Sequence, residues 1–187
     1  MVRVAQGDRA AYARLVNIHL RPIEAYALRM CGNRATAEDV VQEVMLRLWL
    51  RAGQFQPERA RLTTWLHQLA HNLCVDHLRR NRRFVELQAA VHRQEVTETL
   101  STQVSYEGSL ISEVVEAGVL DERADRVQTA LSNLPERQRN ALVLTYYQGL
   151  SNAEVAQVME AGVRAIESLL VRARAALKQQ LEQTDVH

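Results

Sequence analysis

Apolar residues in this chain recur at the spacing of an α-helix almost from end to end, and little interrupts them. Val40, Val41, Val44, Met45 and Leu48 form one such stripe, and Val127, Ala130, Leu131 and Leu134 form another. With 7 Gly and 3 Pro in 187 residues, there are few places where a helix must stop. The predicted fold class is therefore all-α. The chain is 47% hydrophobic and 24% charged, the composition of an ordinary globular protein, which leans away from disorder. No apolar run approaches the roughly 20 residues of a membrane span. Residues 1–8 lack the apolar core of a signal peptide. A cytoplasmic protein with no membrane insertion is expected. Cys31 and Cys74 sit in apolar helical contexts without CxxC spacing, so buried reduced thiols are expected rather than a disulfide.

The breaks in the pattern divide the chain. Residues 7–20 read as a short amphipathic helix carrying Tyr12, Leu15, Val16 and His19. Pro22 suits the start of a second helix, which Gly32 and Asn33 end. Thr36 and Asp39 make a capping box for a third, with Asp39, Gln42, Glu43 and Arg47 opposite its buried stripe. After a loop at 53–57, Thr63 or Thr64 caps a long helix to about residue 83. Residues 1–83 are thus expected to form a four-helix module, and 84–120 a polar, flexible linker without a core.

A second module is expected over 121–187. Pro135 opens one of its helices and Gly149 ends it. Ser151 with Glu154 is another capping box, opening a short helix to about Met159. A turn at 160–162 leads to a last helix from Val163 to about Leu181. Short helix, tight turn and basic helix are the order of a helix-turn-helix. Ala156 supplies the small residue at the crossing, and Val155, Met159, Ala161 and Ile166 bridge the pair. Glu160 stands where glycine is favoured, and left-handed backbone there costs roughly 1 to 2 kcal/mol.

Charge adds a functional reading. The net charge of +1 argues against a free-standing, tight nucleic-acid binder. Its distribution is blocky: RRNRR at 79–83 holds four arginines in five positions, and Arg164, Arg172, Arg174 and Lys178 cluster near the C-terminus. Between them, residues 84–126 hold nine acidic and three basic side chains. That order suits two nucleic-acid-facing modules joined by a connector that repels DNA. On the last helix, Arg164, Ala165, Glu167 and Ser168 are placed to reach base edges, with Arg172 and Arg174 nearer the phosphates.

Four segments, AEDVVQEVMLRLW at 37–49, TTWLHQLAHNLCVDHLRRNRR at 63–83, LPERQRNALVLTYYQGLSNAEVA at 134–156 and AIESLLVRARAAL at 165–177, resemble the signature of extracytoplasmic-function (ECF) sigma factors. The resemblance implies a region 2 type domain at 1–83 and a region 4 type helix-turn-helix domain at 121–187. It makes Asp39, Gln42, Glu43 and Arg47 contacts to the beta-prime clamp helices of core RNA polymerase, with the beta flap a further polymerase partner. It implies that the helix at 63–83 meets the minus-ten promoter element. Asn72 would face base edges and Arg79, Arg80, Arg82 and Arg83 the backbone. The loop at 54–61, with Phe55 and Arg61, corresponds to the family's base-capturing loop; for Phe55 a core role is an equal alternative. Trp65 is expected in the core. Arg164, Glu167, Ser168 and Arg172 become readers of the minus-thirty-five element. An anti-sigma factor is the implied regulator. The resemblance also implies several residues ahead of Met1, and Gly162 stands where Ser or Thr commonly caps the recognition helix.

Other readings compete. His67, His71 and Cys74 fall on one helical face, with His77 one turn on, a spacing that can bind zinc. No metal and no cofactor is expected, because that helix is also the DNA-facing one. No phosphate loop, nucleophile elbow or HExxH occurs, so no enzyme is expected. A sigma-like mimic that only sequesters an anti-sigma factor would lack the arginines of both DNA faces, and here both sets are present.

Overall fold

The computed structural model describes the backbone of residues 1–95 and 122–184, and the side chains of residues 1–88 and 127–181. Among the described residues all regular structure is helical. The first module comprises α1 (Val2–Ala5), α2 (Arg9–Cys31), α3 (Arg34–Leu50) and α4 (Leu62–Glu95). Asp8 caps α2 by accepting from the Ala11 N–H at 2.9 Å. That N–H, together with Arg3, holds the Asp8 carboxyl below the usual carboxylate range.

The boundary expected at Pro22 is absent, for α2 passes straight through it. A proline in a helix interior loses one hydrogen bond and costs about 3 kcal/mol. The turns that follow bury Ile23, Tyr26, Ala27 and Met30, and this packing outweighs the local cost. Gly32, at φ 67°, closes the helix.

Asn33 rather than Thr36 caps α3, its side chain accepting from the Thr36 N–H at 3.0 Å. Asn is a better cap than Thr and directly follows the left-handed glycine, so the helix starts one turn early. Similarly, α4 starts at Leu62, with the Arg61 carbonyl accepting from the Trp65 N–H, and neither Thr63 nor Thr64 caps it. It continues past residue 83 to Glu95, because residues 84–95 contain neither Gly nor Pro to stop it. Residues 96–120 of the expected linker, with Asp121 after them, lie outside the described residues.

The second module contains α5 (Glu122–Ser132), α6 (Glu136–Leu142), α7 (Asn152–Val158) and α8 (Val163–Thr184), with a π-helical turn, Val143–Tyr147, extending α6. Pro135 is the N-cap of α6, and Gly149, at φ 66°, follows the π turn. The Ser151–Glu154 capping box is formed on both sides. Glu160 does adopt left-handed backbone, at φ 49°. Val155 and Ile166 are fully buried where α7 crosses α8, with Ala156 and Met159 beside them. Buried apolar side chains continue from one module into the other, and α2 and α4 pack directly on α5, α6, the π turn and α7.

Candidate nucleic-acid interface

The first turns of α8 stand clear of the body. Arg164, Ala165, Glu167, Ser168, Arg172 and Arg174 are all exposed. The Gly162 carbonyl accepts from the Ala165 and Ile166 N–H groups, so the helix begins without a side-chain cap. Arg172 donates back to the carbonyl and hydroxyl of Ser168, each at 3.3 Å, and Arg174 to the Leu170 carbonyl at 3.3 Å. Both guanidiniums are thus drawn along the helix surface rather than fixed by a carboxylate. Sequence reasoning overlooked Val163 and Val171, which are 42% and 58% exposed on this helix. Apolar side chains there suit a thymine methyl in the major groove. Their signal was a valine off the core stripe.

On α4, Asn72, Arg79, Arg80, Arg82 and Arg83 are exposed. Arg79 lies 3.9 Å from Asp76, and Arg80 donates to the Asp76 carbonyl at 3.3 Å. Arg79, Arg82, Arg83 and Arg137 line one groove between α4 and the start of α6, floored by Val75, Pro135 and Leu169. Phe55 is half-buried, and its ring packs on Trp65 with centroids 5.6 Å apart. Trp65 is itself half-buried, packed at the edge of the core rather than inside it, with Phe55 from the loop against its ring.

Arg61 is held elsewhere. It meets Glu154 of α7 at 3.4 Å, and the Thr64 hydroxyl donates to the same carboxylate oxygen at 3.2 Å. The other oxygen of Glu154 serves the Ser151 cap at 2.8 and 2.9 Å. The Ser151 N–H and hydroxyl, then Thr64 and Arg61, keep this carboxyl below its usual range. One turn along α4, Gln68 donates to Glu160 at 3.4 Å. The start of α4 therefore meets two carboxylates from the helix-turn-helix.

Further contacts complete this seam. The Tyr26 hydroxyl donates to the buried Asn140 at 2.5 Å and lies 3.3 Å from His71 Nδ1. His67 donates through Nδ1 to the Thr63 carbonyl at 2.8 Å, while Nε2 lies 3.2 Å from the Gln148 amide. Burial pushes the His67 and His71 pKa values down and that of Tyr26 well up, so all three favour their neutral forms. Arg29 sits 4.3 Å over the Tyr147 ring, and Arg82 lies 3.9 Å from Glu136. These partners account for the histidine stripe that resembled a zinc site. Among the described residues no group of three metal-ligating side chains converges.

A second surface lies on α3. Asp39 and Gln42 are exposed, and Glu43 and Arg47 are half-buried and paired at 2.7 Å. Leu46 and Leu50, 49% and 68% exposed, continue the same face and were missed by the sequence reading. Acidic, amide and leucine side chains in one row fit a protein surface better than a polyanion.

A family profile for Sigma-70 region 2 matches residues 15–84, and one for Sigma-70 region 4 matches residues 124–177. The ECF RNA polymerase sigma factor SigW of Bacillus subtilis is 31% identical over 179 residues, covering 96% of this chain and 93% of SigW. The chain belongs to the ECF RNA polymerase sigma factors. Another relative of this ECF sigma factor is the RNA polymerase sigma-H factor of Pseudomonas aeruginosa, 30% identical over 96% of this chain and 91% of its own. Two solved structures share the fold. The sigma factor RpoE, in complex with the anti-sigma factor NepR from Bartonella quintana, superposes with a TM-score of 0.68 at 23% identity, covering 92% of this chain and 97% of RpoE. CnrH, in complex with the cytosolic domain of CnrY, gives a TM-score of 0.68 at 23% identity, covering 97% of this chain and 94% of CnrH.

Proposed function

We propose that this ECF sigma factor directs core RNA polymerase to promoters through three surfaces. The α3 row of Asp39, Gln42, Glu43, Leu46, Arg47 and Leu50 docks on the clamp helices. Asn72 and Arg79 to Arg83 on α4, with Phe55 and Arg61 of the preceding loop, meet the minus-ten element. The start of α8 reads the minus-thirty-five element, with Arg164, Ala165, Glu167 and Ser168 at base edges and Arg172 and Arg174 at phosphates. The observation that carries this reading is the free N-terminal face of α8, which presents Arg164 and its neighbours outside the core. Working domains of 1–83 and 121–187, a cytoplasmic location and a non-catalytic role accord with this activity. No described helix is long and apolar enough to cross a membrane.

The seam gives the mechanism a first step. The two promoter elements lie about 25 base pairs apart by their numbering, about 85 Å along B-DNA. Glu154 of α7 is 3.2 Å from Thr64 of α4, so a closed chain cannot engage both elements. Joining polymerase must part the modules, releasing Arg61, Thr64 and Gln68 from the carboxylates. An anti-sigma factor holding both modules would favour the closed arrangement. Among the fold neighbours, RpoE is bound to the anti-sigma factor NepR, and CnrH to the cytosolic domain of CnrY.

In vitro transcription from a pool of randomised promoters, with core polymerase and with or without this protein, tests the reading. Specific initiation at a shared two-element motif is expected. Polymerase binding without initiation would overturn it in favour of a mimic that sequesters an anti-sigma factor.

A further inference from the structure

Where α4 passes the start of α6, arginines from both modules line one cleft of about 700 Å³. Arg79, Arg82 and Arg83 come from α4 and Arg137 from α6, while Val75, Pro135 and Leu169 make its apolar side. Glu86 and Glu136 also line it, so four positive groups face two negative ones. The ion pairs that the arginines do make are long: Arg82 lies 3.9 Å from Glu136, and Arg79 lies 3.9 Å from Asp76. Among the described residues, Arg83 and Arg137 have no hydrogen-bond or ion-pair partner. A second groove of about 540 Å³ shares Arg82 and Glu136 with the first and reaches Arg139, whose Nε is buried without a hydrogen-bond partner. Unused guanidinium donors of this kind are rare, so the positive charge at this junction exceeds what the protein's own acceptors take up. Like charges brought together across the seam also oppose its closure, and a bound anion would remove that opposition.

We propose that the cleft between α4 and α6 binds a nucleoside polyphosphate and that the bound nucleotide holds the two modules closed. Its phosphates lie on Arg79, Arg82, Arg83 and Arg137, because planar guanidinium forks match phosphate oxygens two at a time. Its base lies on Val75, Pro135 and Leu169, the one part of the lining without charge. The volume falls within the range of about 300 to 1,000 Å³ that small-molecule sites occupy, which leaves room for a ring beside the phosphate chain. Since α4 belongs to one module and α6 and α8 to the other, the cleft exists only while the modules are packed together. A ligand that binds only the closed form shifts the equilibrium toward it. It would also occupy guanidiniums of α4 that are otherwise open to DNA phosphates.

Binding is measured on the free chain without DNA or polymerase, so this inference and the transcription reading can fail separately. The full-length chain is titrated in a calorimeter with ATP, GTP and inorganic triphosphate at physiological ionic strength. Saturable one-to-one binding of a nucleotide below about 1 mM is expected. Inorganic triphosphate should bind at least about threefold more weakly, because it leaves the apolar side of the cleft uncovered. Arg137→Ala, checked for native helicity, should weaken nucleotide binding about tenfold, the effect of one charge-assisted contact. Arg14→Ala, exposed on α2 and outside the cleft, should leave it unchanged. Nucleotide should also raise the yield of cross-links between α4 and α7 in the unaltered chain. Absence of saturable binding, or cross-links that stay level or fall, would overturn the proposal. So would equal losses from Arg14→Ala and Arg137→Ala, the sign of diffuse anion binding, or inorganic triphosphate binding as tightly as the nucleotides.

Discussion

Glu154 spends each of its carboxylate oxygens on a different task, one on the cap of its own helix and one on the opposite module. The first task was legible in the sequence, because a capping box is a local pattern of two residues three apart. So was the left-handed backbone of Glu160, which follows from its place in the turn. The second task was not legible, nor was the bond from Tyr26 to Asn140, whose partners are 114 positions apart. Such pairs exist only after two modules have met, and no periodicity announces them. Asn140 reads from the sequence as an ordinary helix residue, yet it is 1% exposed. Asn140→Ala leaves the Tyr26 hydroxyl without its buried acceptor and should cost about 1 to 3 kcal/mol in urea unfolding. Tyr26→Phe, read against it in a double-mutant cycle, should recover part of that loss.

At the level of elements, the helix-turn-helix was the most readable part. Small and apolar side chains at fixed intervals determine how α7 crosses α8, and Val155 and Ile166 lie where those intervals put them. Helix ends were less readable. Pro22 is a strong local signal to stop, but four buried side chains on the following turns overrule it. For α4 the opposite held: an abrupt change in charge at residue 84 suggested an end, although charge alone does not terminate a helix. The candidate DNA faces were visible as arginine clusters, while their apolar members Val163 and Val171, like Leu46 and Leu50 on the α3 surface, were masked by the rule that apolar residues belong inside. Arg164→Ala should cost about 1 to 3 kcal/mol at one base pair of the promoter, measured by competition between single-base variants, whereas Arg82→Ala should weaken all promoters alike. Leu46→Ser with Leu50→Ser should reduce core polymerase binding in a pull-down and change unfolding stability by less than about 0.5 kcal/mol each, since both are solvent-facing.

The whole molecule should respond to mild acid through its histidines. Burial lowers the folded-state pKa of His67, His71 and His19 from the ordinary 6.5. As pH falls below 6.5, the unfolded chain therefore takes up protons before the folded one does. Stability present above that pH is lost progressively below it, until the folded-state values are passed. Tm recorded from about pH 8 down to about pH 5 should fall, and His67→Gln should flatten part of the decline. Because His67 faces Gln148 across the seam, the loss should appear first as separation of the modules, visible as a falling yield of cross-links between α4 and α7.

The carboxylates over the start of α4 also bear on how the chain finds its target among competing DNA. Chromosomal DNA offers of order a million or more sites to any surface rich in arginine, and a chain displaying two such surfaces would spend its time parked on irrelevant sequence. With Glu154 and Glu160 folded over the start of α4, part of that stickiness is spent internally. On the proposed mechanism the free protein should linger less on bulk DNA than one with that end of α4 uncovered, and parting of the modules by polymerase should add this stretch to the arginine faces already exposed.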